Sequence, residues 1–129
     1  MYAQEKNNRK HTKFFYDVKN MSELDPKSVK YIFNDKGEDL IPAIIQDFNS
    51  KKVLCAYYMN EESLRRSLRS RKVWRYSRRQ ERIMMKGARS GHPMEIIEIL
   101  PDCTNQSLLV KVKTEGPTCL TGKESCFDV

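Results

Sequence analysis

The chain has 129 residues, 39% of them apolar and 32% charged, with a net charge of +7. That length suits one domain that buries a core without disulfide staples, and no apolar run comes near the roughly 20 residues that cross a bilayer. The opening MYAQEKNNRKHTKF has no apolar stretch of the secretory kind, so a cytoplasmic protein with reduced thiols and no membrane contact is expected.

Residues 1–20 are polar and aperiodic and read as a loosely ordered basic tail, with residues 21–129 as the domain. LDPKSVKYIFNDKGEDL predicts a short helical turn entered through Asp25-Pro26, then a loop from Asn34 to Gly37. LIPAIIQDF and VLCAYYM, separated by NSKK, predict two strands of a hairpin. Asn60 reads as the N-cap of a helix with Glu61 and Glu62 in its first turn and Leu64 and Leu68 on one face. KVWRYS and IMMK predict strands around the turn RRQER, and GARSGHP a glycine-bearing loop. MEIIEIL and SLLVKV predict two more strands joined by PDCTNQ, and TEGPTCLTGKESCF a closing loop. About six strands against one or two helices predict a β-rich α+β single domain.

The charge is concentrated. Eleven Lys/Arg and three Glu between Glu61 and Arg89 give +8, more than the whole chain's excess. Such a stretch is either a solvated basic face or a patch for phosphorylated small molecules, nucleic acid or an acidic partner. Trp74 and Tyr76 within it either offer bases a stacking surface or alternate with Arg75 and point into the core.

Three of the four cysteines, Cys103, Cys119 and Cys126, fall in the last two loops. Three thiolates suit Zn²⁺ and leave its fourth position open, as catalytic zinc sites do. The spacing is not C-x2-C and does not by itself separate metal ligands from ordinary cysteines. Cys55, mid-strand between Leu54 and Ala56, reads as a buried small hydrophobe.

LIPAIIQD, VLCAYYMNEESL, KVWRYSR, MKGARSG, DC and GPTCLTGKESCF, in that order, resemble phosphoribosyl-AMP cyclohydrolase, the histidine-biosynthesis enzyme family that opens the adenine ring of phosphoribosyl-AMP; the likeness runs from about Leu24 to Phe127. The resemblance implies an intertwined α+β homodimer with two sites at the subunit interface. It implies one zinc per site, held by Cys103 of one subunit and Cys119 with Cys126 of the other, and activating the water that attacks the purine carbon between N1 and the exocyclic nitrogen. Ser77, Arg78, Lys86, Ser90 and Gly91 match positions that would hold a phosphorylated purine nucleotide through charge-assisted and backbone hydrogen bonds.

The chain departs from the family pattern at other positions. The family's magnesium motif, Asp-Cys-Asp-x-Asp, is here Asp102-Cys103-Thr104-Asn105-Gln106, and a single Asp with neutral neighbours holds Mg²⁺ poorly. The histidine after the second zinc cysteine is Leu120, the glutamate of Lys-Gly-Glu is Ala88, and an aromatic just before it is Met84. His92, next to Ser90-Gly91, is either a relocated acid/base or an exposed loop histidine, and His11 in the tail is incidental. Two functions follow: a zinc-dependent hydrolase acting on phosphoribosyl-AMP or a related purine nucleotide, or a catalytically silent or substrate-altered relative in which zinc clasps the dimer. A nucleic-acid partner is the least favoured reading.

Overall fold

The computed structural model describes residues 24–87, 91–117 and 122–128. The ten-residue strand β2 (Glu38–Asp47) organises them. Along it Leu40, Ile41, Ala43 and Ile45 are fully buried, and Pro42, Ile44 and Gln46 face the other side half-exposed. This is the period-two pattern of a strand with one face on a core. β2 pairs antiparallel with β1 (Phe33–Asp35) near its start and with β3 (Val53–Met59) over Ile41–Gln46. It also pairs in parallel with β7 (Leu108–Lys113), where Ala43 faces Leu108 and Ile45 faces Val110. β6 (Glu95–Pro101) completes the five-stranded sheet, antiparallel to β7. β4 (Trp74–Ser77) and β5 (Arg82–Met85) form a separate two-stranded ribbon.

The six strands expected from sequence are all present, and β1 corrects one expectation. The stretch predicted as a loop from Asn34 to Gly37 is a hairpin, Phe33–Asp35 against Glu38–Leu40. Its two-residue turn places Lys36 at φ 53 and Gly37 at φ 89, the doubly positive pattern of a type I′ turn. The Asn34 side chain bonds Asp39 Oδ1 at 2.7 Å across the pair.

The helix α1 (Glu61–Ser70) starts where the sequence places it. Asn60 Oδ1 accepts from Ser63 N at 2.8 Å and Ser63 Oγ accepts from Asn60 N at 2.9 Å, so cap and third residue satisfy each other. Leu64 is fully buried, and Leu68 packs at the edge of a core that includes Val29, Met59, Val73, Met94, Ile96, Ile99, Val110 and Val112. Cys55, 2% exposed, belongs to that core as a small hydrophobe. None of the described helices is long and apolar enough to cross a membrane. The expected basic tail, His11 included, lies outside the described residues.

Ser67 ties α1 to the ribbon. Its buried hydroxyl donates to Ser63 O at 2.8 Å and accepts from Trp74 N at 2.9 Å. Ser67→Ala leaves Trp74 N without that acceptor, a loss of about 1–3 kcal/mol for a buried donor. A urea unfolding curve followed by Trp74 fluorescence checks it, with a lower midpoint and an unchanged slope as the expected outcome.

Candidate active site

A cleft of about 490 Å³ opens between the β1–β2 turn, β3 and β4, lined by Asp35, Lys36, Tyr57, Tyr58, Arg75 and Arg78 among others. Strand alternation builds it. The Arg75–Met84 pairing puts these two on one face of the ribbon, and Lys86, two residues past Met84, belongs to the same face. Arg75 lies over the Tyr57 ring at 4.8 Å, and Lys86 Nζ is 5.7 Å from the same centroid. Arg78 lies over Tyr58 at 4.6 Å and Phe33 at 5.8 Å, and these two rings are stacked at 4.9 Å. Cation–π contacts of this kind hold guanidinium groups over apolar surface while leaving their N–H edges to a ligand. Burial and the neighbouring Cys55 push the Tyr57 hydroxyl well above the ordinary phenol range, so it is a neutral donor at physiological pH.

The residues singled out from sequence separate into groups. Ser77 and Arg78 line the cleft; Ser77 is buried, and its hydroxyl accepts from Gln80 N at 3.1 Å, which shapes the β4–β5 turn. Lys86 flanks Tyr57 at the cleft's side. Gly91 and His92 line a different cleft of about 290 Å³, with Lys72, Pro93, Glu95, Lys113 and Glu115. His92 is half-buried there with its ring against Gly116, where an added Cβ would come within 2.3 Å of Nδ1. The exposed-loop reading of this histidine therefore gives way to one seated on a glycine. Ser90, Ala88, Cys119 and Leu120 lie outside the described residues.

The basic stretch is not one surface. Arg65 and Arg66 pair with Glu61 and Glu62 at 2.8–3.1 Å along α1. Trp74 lies under Arg66 at 5.4 Å and donates from its indole N–H to Ser70 Oγ at 3.1 Å. Neither Trp74 nor Tyr76 points fully into the core; both are half-exposed. Sequence reasoning missed Tyr57, Tyr58 and Arg75 as site residues. The available signal was alternation, since Tyr57 shares the face of Cys55 and Met59 at the strand end that meets the ribbon.

The cysteines occupy different corners. Cys103 is exposed in the loop between β6 and β7. Cys126 is exposed on the C-terminal segment, where its N–H donates to Leu54 O of β3 at 2.8 Å and the neighbouring Ser125 Oγ donates to Val53 O at 2.8 Å. β2 lies between β3 and β7, so the two attachment strands are roughly 10 Å apart. No group of three His, Cys, Asp or Glu that could hold a metal gathers among the described residues. Asp102, beside Cys103, accepts from Thr104 N, Thr104 Oγ1, Gln106 N and Ser107 Oγ at 2.6–3.0 Å, and these bonds, that from Ser107 foremost, hold its carboxyl well below the usual range.

The α+β domain thus gathers arginines and tyrosines along one cleft and leaves Cys103 and Cys126 exposed elsewhere. Comparison narrows the class. The profile of the phosphoribosyl-AMP cyclohydrolase family matches residues 55–128. A phosphoribosyl-AMP cyclohydrolase of Clostridium botulinum (strain Alaska E43 / Type E3) is 47% identical over 93 residues, 72% of this chain and 85% of that protein. One of Nitrosopumilus maritimus is 43% identical over 101 residues, 78% of this chain and 94% of that protein. The histidine biosynthesis bifunctional protein HisIE of Halalkalibacterium halodurans is 45% identical over 95 residues, which cover 74% of this chain and 44% of that longer protein. The chain belongs to the phosphoribosyl-AMP cyclohydrolase family, a family of cyclohydrolase-type enzymes.

Thiol chemistry distinguishes the cysteines. Burial pushes the Cys55 thiol up to about 11 from an ordinary 9.0. After treatment with a metal chelator, alkylation by iodoacetamide at pH 7.5 is expected at the exposed Cys103 and Cys126 but not at the buried Cys55 of the folded protein, read by peptide mass spectrometry. Because the folded pKa is the higher one, the contribution of Cys55 to stability is complete below about pH 9 and falls as pH rises towards 11. Cys55→Ala is expected to weaken the decline in stability across that interval.

Proposed function

We propose that the chain is a zinc-dependent hydrolase that opens the purine ring of phosphoribosyl-AMP or a related purine nucleotide, the cyclohydrolase step of histidine biosynthesis. The observation that carries this reading is the 43–48% identity to proteins named phosphoribosyl-AMP cyclohydrolase over 85–94% of their length. The cleft supports it chemically. Arg75, Arg78 and Lys36 offer positive charge to phosphates, and Tyr57 and Tyr58 offer apolar ring surface beside them. Ser90 and Gly91 contribute to the same substrate on this reading, and His92 is the candidate acid/base nearest to them in sequence.

The donor set fits zinc. Cys103 and Cys126 present exposed sulfur, which Zn²⁺ favours over the oxygen ligands of harder cations. Zinc, when bound, is a Lewis acid that activates water at neutral pH. The separation of the two thiols between corners of one chain supports the homodimer reading, in which Cys103 of one protomer meets Cys119 and Cys126 of its partner. The half-exposed second face of the sheet, with Ile44, Leu100 and Leu109, and the exposed Val53 and Phe127 by the C-terminal segment supply apolar surface for that contact. Arg78 and Lys86 act on this reading as phosphate-binding groups, and the chain's own contribution is to orient the nucleotide and keep bulk water from the cleft.

The second reading, a relative in which zinc only clasps the dimer, draws on Leu120 standing where the family pattern has histidine. Turnover separates the two. The purified protein is assayed for zinc content and for phosphoribosyl-AMP ring opening by absorbance in one preparation. Turnover with bound zinc is expected; zinc without turnover would overturn the enzymatic reading and leave the clasp. Cys103→Ser and Cys126→Ser are each expected to be inactive alone. Unfolded and refolded together, they should regain about a quarter of wild-type activity, because random pairing makes half the dimers mixed and each mixed dimer has one intact site. No regain would sink the shared-site arrangement. Arg78→Ala is expected to raise KM about tenfold or more, as loss of a charge-assisted hydrogen bond costs ~1.5–3 kcal/mol.

A further inference from the structure

The loop from Asp102 to Ser107 contains one acidic residue, and both oxygens of its carboxylate are engaged from within the loop. Asp102 Oδ1 accepts from Thr104 N at 2.9 Å, Thr104 Oγ1 at 2.9 Å and Gln106 N at 3.0 Å. Asp102 Oδ2 accepts from Ser107 Oγ at 2.6 Å. A carboxylate offers about four lone-pair sites; three of the donors converge on Oδ1 and the fourth takes Oδ2. The backbone closes the same turn. Asn105 N donates to Asp102 O and Asp102 N to Ser107 O, each at 3.0 Å, with Asn105 in the left-handed region at φ 59. From outside the loop, Lys30 N donates to Asn105 O at 2.7 Å.

A magnesium ion needs the opposite arrangement. It collects about six oxygens at ~2.0–2.1 Å and is typically held by one or two carboxylates with water or substrate. In a loop of alternating aspartates the acceptors converge on a central cation. Here donors converge on a central carboxylate, and Thr104 and Ser107 give it their hydroxyl protons. The residues present do not fit magnesium.

We propose that the hydrogen bonds converging on Asp102 take the place of a divalent hard cation in the β6–β7 loop. The loop that presents Cys103 is then set in shape by its own side chains, and the chain's activity is independent of magnesium. The part about activity rests on the cyclohydrolase reading; the part about the loop does not. Ser107, which no sequence motif singles out, is the positioning residue of this arrangement together with Thr104.

The test uses the purified full chain in magnesium-free buffer with Mn²⁺ as probe. The electron paramagnetic resonance signal of free Mn²⁺ falls when the ion binds. Wild type is expected to show no saturable binding through the millimolar range, and the amide resonances of Thr104 and Gln106 are expected to stay in place on Mg²⁺ addition. The double variant Thr104→Asp/Gln106→Asp, its fold checked by circular dichroism, is expected to bind Mn²⁺ saturably. Saturable binding to wild type that disappears in Asp102→Asn would overturn the proposal, as would Thr104 and Gln106 amides that move with Mg²⁺. Should the double variant fail to fold, the amide titration of wild type decides alone. An inactive protein with unmoved amides would defeat the cyclohydrolase reading and leave this one standing. An active protein whose amides and turnover respond to Mg²⁺ would do the reverse.

Discussion

Everything in this fold hangs on β2 being hydrogen-bonded along both edges. Its antiparallel partner β3 follows directly in sequence, but its parallel partner β7 arrives only after the helix, the ribbon and β6 have been made. Parallel neighbours need a long crossover, and the crossover carries Tyr57, Arg75 and Arg78 of the cleft. Because β7 occupies one edge of β2, β3 is left as an outer strand, and its free carbonyls are taken up by Ser125 and Cys126. The same pairing fixes where the β6–β7 loop emerges. Leu108, the first residue after that loop, is in register with Ala43, and Ala43 is in turn opposite Tyr57 of the cleft. One strand's bonding pattern thus sets the positions of both exposed thiols and of the aromatic wall.

The cleft shows how a basic sequence is sorted into paired and ring-held arginines rather than spread as a uniformly charged skin. Arg65 and Arg66 are compensated by acids one turn earlier on α1, so their charge is local and largely cancelled. Among the described residues no acid forms an ion pair with Arg75 or Arg78; aromatic rings hold them instead. An arginine stacked on tyrosine keeps its charge and most of its N–H donors for another partner. The stack also restricts the side chain's rotamers, which lowers the entropy lost when an anion is gripped. The number of arginines in the sequence therefore says less than which of them find a carboxylate at helical spacing and which find a ring across strands.

Much of this was legible before the structure. Asn60, the two glutamates after it and Leu64 are local signals, and local signals determine helix starts. Alternation in LIPAIIQDF and SLLVKV marks strands because one face of each lies on a core. What escaped was non-local or lay in turn stereochemistry. β1 is three residues long with two of them exposed, so it has no hydrophobic period, and only the positive φ of Lys36 and Gly37 creates it. That β2 and β7 run parallel is a property of two segments some sixty residues apart. Arg75 was visible only as a residue between two aromatics; its role came from Tyr57 on another strand. The cysteines proposed to hold zinc were singled out through family resemblance, whereas spacing alone left them undecided; of these, Cys103 and Cys126 sit at separate corners of the sheet.

The Asp102 loop bears on how a short loop can be ordered without a hard cation. A hard cation and a hydrogen-bonded carboxylate solve the same problem, which is to hold a short loop closed against chain entropy and like-charge repulsion. Three carboxylates in five residues repel one another unless a cation sits among them. Replacing two of them by Thr104 and Gln106 removes the repulsion, and the remaining Asp102 becomes an acceptor for the turn's own donors. The loop then needs no ion to be ordered, and Cys103 between those residues stays exposed at the sheet's end. Zinc ligation by thiol and magnesium ligation by carboxylate are separable for that reason. On the proposed reading zinc would be taken by the exposed Cys103, whereas magnesium would need the Asp102 carboxylate that holds the loop together.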